Sequence, residues 1–263
     1  MELFFYIFIF LLGLAVGSFL NCVIYRLERR EGFFWGRSYC PHCKHQLGWQ
    51  DLIPVLSFIW LRGRCRYCRQ KISWQYPLVE IATGLLFLLV FNFSPFEGSP
   101  VGRQFPIFYF LISIFLIVIF VYDLKHYIIP DKVIYPAIVV ALIYDFLRFL
   151  KSDILGMSDF LIPAFGAAVF FLVIVLTSRG RWMGVGDIKL AFLMGLVLGY
   201  PNILAALFLA FLIGAIIGIG LIILGKKTIK SEVPFGPFLV TGTFIALFFG
   251  QQIIDWYFQC LNA

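Results

Sequence analysis

Residues 108–123 read FYFLISIFLIVIFVYD, an apolar run that ends on an acidic residue, Asp123. A second acidic residue, Asp187, stands in GVGD at 184–187, directly before the apolar segment IKLAFLMGLVLG. A charged side chain at mid-membrane costs about 2.5–3.5 kcal/mol on insertion scales, so its presence calls for a functional reason. Two carboxylates at one membrane face can share a proton and activate a water molecule between them. The pair therefore predicts an aspartic hydrolase embedded in a membrane.

The composition is that of a polytopic membrane protein. Of its 263 residues, 62% are hydrophobic and only 13% are charged, and the mean hydropathy is +0.95. A soluble domain cannot hide so much apolar surface. The predicted fold is therefore an all-α bundle of about eight transmembrane helices. The expected spans are 3–25, 77–93, 105–122, 132–149, 160–178, 188–200, 203–224 and 237–257.

Two of these spans have unusual features. The first begins MELFFYIF, without a basic segment in front of it, so we expect it to be retained rather than cleaved as a signal peptide. The sixth, 188–200, is short, which indicates a tilted helix or one that starts deeper in the membrane beside a water-filled cavity.

The charge distribution predicts the orientation of the spans. Most of the 21 Lys and Arg residues fall in the loops after spans 1, 3, 5 and 7. By the positive-inside rule those loops lie in the cytoplasm and both termini lie outside it. Asp123 and Asp187 then share the cytoplasmic side. This placement also argues that the net charge of +7 serves orientation rather than nucleic-acid binding.

A loop at 26–76 is the only sizeable polar insert and contains two CxxC pairs. The four cysteines are Cys40, Cys43, Cys65 and Cys68. Two CxxC pairs separated by 21 residues have the spacing of a structural zinc site, a little beyond the usual range, and four thiolates leave no open position for water. A cytoplasmic location disfavours disulfides. His42 or His45 could replace one cysteine, although we expect both to lie beside the site or in water. A metal-free or redox-active pair of CxxC turns is the alternative.

Several other residues have structural explanations at this stage. Asp131 follows Pro130 and suits the first turn of a helix, and His126 suits the membrane interface. Asp187 could simply cap the sixth span. Ser18, Asn21 and Glu80 are expected to form hydrogen bonds between helices, although Glu80 could also hold a cation. The stretch 234–239 lines an active-site mouth or is only a loop. Cys22 and Cys260 suggest no function.

Three GxxxG patterns lie within spans, and we interpret them as internal packing of the bundle. They are Gly13–Gly17, Gly195–Gly199 and Gly214–Gly218. The predicted domains are a first transmembrane helix at 1–25, the cytoplasmic cysteine loop at 26–76, and a seven-helix membrane core with the two aspartates at 77–263.

Taken together, these motifs resemble those of the prepilin peptidases, the type IV leader peptidases of the GxGD aspartyl protease class. The matching segments are GSFLNCVIYRL at 17–27, the two CxxC pairs, YPLVEIATG at 76–84, D-x6-PD at 123–131, GVGDIKL at 184–190 and PFGPFL at 234–239. They run in order along nearly the whole chain, and their combination is far more specific than any one of them.

The resemblance implies an enzyme of the bacterial cytoplasmic membrane with Asp123 and Asp187 as its catalytic pair. Its implied substrates are prepilins or pseudopilins of pilus or type II secretion systems, cut on the cytoplasmic side between a basic leader and an apolar helix. It also implies N-methylation of the new N-terminus with S-adenosylmethionine. The residues do not locate that cofactor site, and the loop 26–76 is the candidate region. Membrane lipid is an expected partner, and the oligomeric state is left open.

Other functions stay open on the sequence alone. They are a peptidase without methylation, a transporter that uses the aspartates as a proton or cation relay, a scaffold that binds through the cysteine loop, and a methyltransferase alone. Recognition of a basic leader would fall to scattered acidic residues such as Glu28, Glu31, Asp51 or Glu232.

Overall fold

The computed structural model describes residues 2–29, 31–32, 36–92, 106–151, 158–226, 228 and 233–261. Within them the chain is helical, and strand-like pairing is limited to isolated bridges. The helices are α1 (Glu2–Arg29), α2 (Leu56–Trp60), α3 (Gln75–Asn92), α4 (Pro106–His126), α5 (Asp131–Lys151), α6 (Ser158–Ser178), α7 (Val185–Leu198), α8 (Asn202–Ile223) and α9 (Gly236–Leu261). A 3-10 turn at Trp49–Asp51 precedes α2.

Seven of the described helices are long and apolar enough to cross a membrane: α1, α3, α4, α5, α6, α8 and α9. This confirms the predicted all-α polytopic fold. The predicted sixth span corresponds to α7, which has only 14 residues. The helix α7 begins at a polar cavity, described below, and other helices enclose it. Both features agree with a helix shorter than a membrane span.

The chain divides into two units, Met1–Ser94 and Pro95–Ala263. In the first, α1 and α3 pack as an antiparallel pair. A Cβ atom at Gly13 would lie 2.7 Å from the Cα of Gly84, and one at Gly17 would lie 2.7 Å from the Cα of Glu80. The first GxxxG pattern therefore lets two backbones approach closely, as predicted. The helix α3, which falls mostly within the predicted domain 77–263, packs against α1 in this unit.

In the second unit α7 lies at the centre. It packs against α5, α6, α8 and α9, and Leu190, Leu193 and Met194 have no exposed surface. Gly195 lies directly on the backbone of Ala164 in α6, so a side chain there has no room. The third GxxxG pattern, Gly214–Gly218, was expected to pack inside the bundle. Its second glycine does not, because a Cβ atom at Gly218 would meet nothing within 4 Å.

Candidate active site and metal centre

Both predicted aspartates lie in one cavity of the second unit, with a volume of about 570 Å³. Asp123 stands in the last turn of α4 and Asp187 in the first turn of α7. Their side chains are buried, and the two carboxyl groups are close enough to interact electrostatically. The structure thus brings together two acidic residues that are far apart in the sequence.

Asp187 is held by the glycine turn in front of it. Gly184 is the residue that caps α7, in an extended conformation. Asp187 is the third residue of the helix, and its Oδ2 accepts a hydrogen bond from the backbone N–H of Gly184 at 3.0 Å. The alternative that Asp187 itself is the capping residue is therefore wrong. Its carboxylate does satisfy a free N–H group at the helix start, and this contact also fixes its orientation.

Asp123 is held in a similar way by a second glycine, Gly236, whose backbone N–H donates to its carboxylate. Gly236 is the first residue of α9, in the stretch 234–239. A Cβ atom at Gly236 would lie 2.5 Å from Oδ2 of Asp123. Only glycine allows the backbone to come this close to the carboxylate. The stretch 234–239 therefore lies at the cavity that contains both aspartates.

The segment between α4 and α5 packs against both glycine turns. Ile129 is 6% exposed. Cβ atoms at Gly186 and at Gly236 would lie 3.0 Å and 3.5 Å from its side chain. The side chain of Ile129 therefore lies between the turn that carries Asp187 and the turn that binds Asp123, and it keeps the two turns apart.

Asp131 begins α5, as the sequence predicts, and it has a partner from α7. The Nζ of Lys189 lies 2.6 Å from Oδ1 of Asp131 and 4.8 Å from the ring centroid of Tyr135. Both members of the ion pair line the cavity. Lys189 is two residues after Asp187 and is the fifth residue of α7, so the pair joins the first turn of α5 to the start of the second turn of α7.

These contacts matter because α4 and α7 do not pack closely on each other. Each packs instead against α5 and α9. The separation of the two carboxylates is consequently set by α9, through Gly236, and by α5 with its preceding segment, through Ile129 and the Asp131–Lys189 pair. The arrangement can hold one ionised and one protonated carboxyl group against a water molecule in a polar cavity.

The first unit contains a separate cluster of four thiols. The Sγ atoms of Cys40, Cys43, Cys65 and Cys68 all lie within 4.8 Å of one another, and those of Cys40 and Cys68 are 3.8 Å apart. Tetrahedral Zn–S bonds of about 2.3 Å require S–S separations of about 3.8 Å, so the cluster fits a four-coordinate metal ion. Neither His42 nor His45 belongs to it, and His45 stacks instead on Tyr67.

Two similar turns build the cluster. In the first, the N–H of Lys44 donates to the carbonyl of Cys40, and in the second the N–H of Arg69 donates to the carbonyl of Cys65, both at 3.0 Å. Lys44 and Arg69 both have positive φ angles, 59° and 61°. Burial acts to raise the pKa of Cys40, but hydrogen bonds from the backbone of Cys43 and His42 lower it to about 7, which favours the thiolate that binds metals.

Glu80 and Asn21 join the helices and the loop of the first unit. Oε2 of Glu80 accepts a hydrogen bond from the backbone N–H of Val55 at 2.8 Å. The side-chain amide of Asn21 donates to the carbonyl of Tyr76 at 3.0 Å. The hydrogen-bonding interpretation is correct for both, and Glu80 has one partner in the loop, Val55, and one in another helix, Ser18 of α1.

The acidic residues suggested for leader recognition differ in their surroundings. Asp51 binds Arg66 at 2.7 Å, and Glu31 accepts a hydrogen bond from the hydroxyl of Tyr39 at 2.9 Å. Glu232 lies outside the described residues. Residues that the sequence analysis did not single out for the site are Ile129, Gly236 and Lys189. All three stand in quoted motifs, and Ile129 occupies an unspecified position of D-x6-PD, so only Gly236 and Lys189 had a sequence signal of their own.

Comparison with known proteins identifies the family. Residues 11–93 match a model of the bacterial peptidase A24 N-terminal domain, and residues 110–219 match the type IV leader peptidase family. The prepilin leader peptidase/N-methyltransferase of Aeromonas hydrophila is 33% identical over 95% of this chain and 92% of its own length. The chain belongs to the type IV leader peptidase family. It is therefore an enzyme of the peptidase class.

Relatives with the same name come from other bacteria. The protein from Bacillus subtilis strain 168 is 30% identical over 95% of this chain and 97% of its own. The protein from Legionella pneumophila is 32% identical over 97% of this chain and 94% of its own. No solved structure matches the chain.

Proposed function

We propose that this chain is a membrane-embedded aspartic endopeptidase that removes the leaders of type IV prepilins or pseudopilins. The observation that carries the proposal is the cavity in which Asp123 and Asp187 are buried together, each bound by a glycine N–H. The names of relatives that align with nearly the whole chain support the substrate class.

In the proposed reaction no covalent intermediate forms. One ionised aspartate takes a proton from a water molecule, which attacks the scissile carbonyl, while the other, protonated, aspartate donates to the carbonyl oxygen. The proton is then passed to the departing amine. The N–H groups of Gly184 and Gly236 keep the two carboxylates oriented throughout. Because the two groups titrate as a pair, we assign neither aspartate permanently as the acid or the base.

We further propose that cleavage takes place at the cytoplasmic face of the bacterial inner membrane. The distribution of basic residues supports this orientation. Asp123 and Asp187 stand at the ends of α4 and α7 that this rule assigns to the cytoplasm. There the leader of a substrate remains in water while its apolar helix lies in the same bilayer.

For the metal centre we propose a structural zinc ion bound by Cys40, Cys43, Cys65 and Cys68. Four thiolate ligands suit zinc and leave no position for a reacting water. The ion would stabilise a loop that has too few apolar contacts to fold by its own core. No step of the peptidase reaction is assigned to it.

N-methylation of the new N-terminus with S-adenosylmethionine completes the proposal. It is supported by the names of the relatives alone, and no residue of this chain is assigned to that cofactor. A peptidase without methylation is the alternative, and mass spectrometry of the mature product, which is 14 Da heavier when methylated, separates the two.

The test of the peptidase proposal is cleavage of a prepilin by the wild-type chain, Asp123→Asn and Asp187→Asn in proteoliposomes. Asparagine keeps the shape of aspartate but cannot carry the charge or the proton. We expect both variants to lose at least about 1,000-fold in kcat, because general acid–base groups contribute about 10²–10⁴-fold each. Wild-type kcat should follow a bell-shaped pH profile. Cleavage by either variant at the wild-type rate would refute the catalytic pair.

A further inference from the structure

The helix α2 in the cysteine loop exposes large apolar side chains. Leu56, Ile59 and Trp60 are 56%, 62% and 77% exposed, and Trp74, just before α3, is 70% exposed. On α2, positions 56, 59 and 60 fall on one side of the helix. We call these four residues the α2 surface. A group of this size on a polar loop indicates an interaction site.

Two contacts fix the position of α2 relative to the start of α3. The N–H of Val55, at the start of α2, donates to Glu80, the sixth residue of α3 and therefore about 8 Å along that helix from its start. The ring of Phe58 also lies 5.0 Å from that of Trp74. The helix α2 is therefore held beside the first two turns of α3, a helix long and apolar enough to span a membrane.

Basic residues lie in the chain between α2 and Trp74. Arg62, Arg64, Arg69 and Lys71 are all exposed, whereas Asp51, the acidic residue of the same part of the loop, is 5% exposed in its side chain and paired with Arg66. This surface therefore combines apolar and positively charged side chains. Tryptophan and leucine beside lysine and arginine are typical of segments that lie in the interface of an anionic bilayer.

We propose that α2 lies in the headgroup layer of the membrane, with the α2 surface against the acyl chains and the neighbouring basic residues against anionic phospholipid headgroups. The loop leaves the membrane after α1 and re-enters it at α3, so both of its ends are tied to the same bilayer face. These two ends keep the α2 surface close to the lipid of that face. This inference concerns the loop alone and holds whether or not the chain cleaves prepilins.

A photoreactive residue at position 60 tests the proposal. p-Benzoylphenylalanine replaces Trp60 in the full chain, which is reconstituted in phosphatidylcholine liposomes with or without phosphatidylglycerol and then irradiated. Mass spectrometry identifies what is joined to the chain. We expect phospholipid adducts, at least five-fold more abundant than with the same residue in place of His42, which is exposed on the first CxxC turn outside the α2 surface.

A second arm tests the headgroup contact. We expect phosphatidylglycerol to be enriched at least two-fold in the adducts over its share of the liposome. This enrichment should vanish in an Arg62→Gln/Lys71→Gln variant that still contains one metal ion per chain, which verifies that its loop is folded. Cross-links to protein, equal adducts at positions 42 and 60, or a headgroup preference that survives in the variant would each overturn the proposal.

Discussion

The cysteine cluster and the aspartate cavity both gather side chains from separate parts of the chain, but they do so by different means. In the first unit each pair of thiols is positioned by its own short turn, so only two pieces need to meet. In the second unit the two carboxylates stand on helices that do not pack closely together, and α5 and α9 set their separation. The thiol cluster is therefore built mainly from local geometry, and the aspartate cavity from tertiary packing.

Removal of one thiol should have the largest effect. Cys43 is exposed, so Cys43→Ser disturbs no buried packing. Loss of a residue that merely orients a metal ligand costs about 10–100-fold in affinity, so loss of a ligand itself should cost more. We expect metal content to fall from one ion per chain to nearly none, as measured by elemental analysis of the purified protein.

The neighbouring residue supplies the control. His42 is also exposed but lies outside the thiol cluster, so His42→Ser should retain the ion. Retention of the metal by Cys43→Ser, or its loss from His42→Ser, would contradict the four-thiol centre and the comparison that rests on it.

Addition of one methyl group should damage the aspartate cavity nearly as severely. In Gly236→Ala the new Cβ atom would lie 2.5 Å from the Asp123 carboxylate and must displace it or α9. A displacement of about 1 Å at reacting groups can cost about 100-fold, so we expect kcat for prepilin cleavage to fall by about that factor.

Gly184→Ala is the matched variant for the other carboxylate. Its Cβ atom would lie 3.8 Å from Oδ2 of Asp187, which is ordinary contact, and Gly184 has a negative φ that alanine adopts. Its activity should stay within about three-fold of wild type, since only small local adjustments are needed. Equal losses in the two variants would mean that the close approach of Gly236 is not what positions Asp123.

The ion pair between Lys189 and Asp131 should have the smallest effect. Asp131 is 61% exposed in its side chain, and exposed pairs contribute about 0.2–1 kcal/mol, which is at most roughly five-fold in rate. We expect Lys189→Met to lower kcat by about that factor without a change in KM, whereas Lys189→Arg should restore most of the activity. A change confined to KM would instead place the pair in substrate binding.

Much of this architecture could be predicted from the sequence because membrane insertion requires long apolar segments. Seven of the eight predicted spans correspond to helices long enough to cross a membrane. The remaining one, the sixth, was already expected to be short. The four cysteines were recognisable because their spacing matches the geometry of metal-binding turns. Asp123 and Asp187 stood out because carboxylates are costly next to hydrocarbon.

The contacts that orient these groups could not be predicted in the same way. Glycine N–H groups carry no side-chain signal, so Gly236 suggested a turn but not a partner for Asp123. Ile129 looks like any apolar residue near a helix end. The ion pair of Lys189 joins residues from two helices whose proximity the sequence does not contain.

The sequence by itself determined the class of protein, the residues able to do chemistry and the thiols able to bind a metal, because each depends on composition or on short spacings. Only the tertiary structure decided that α7 is enclosed by other helices, that α4 and α7 are joined through α5 and α9, and that Gly236 approaches Asp123. The physical reason is that distances between helices follow from the packing of all their side chains together, whereas turns and spans follow from a few neighbouring residues.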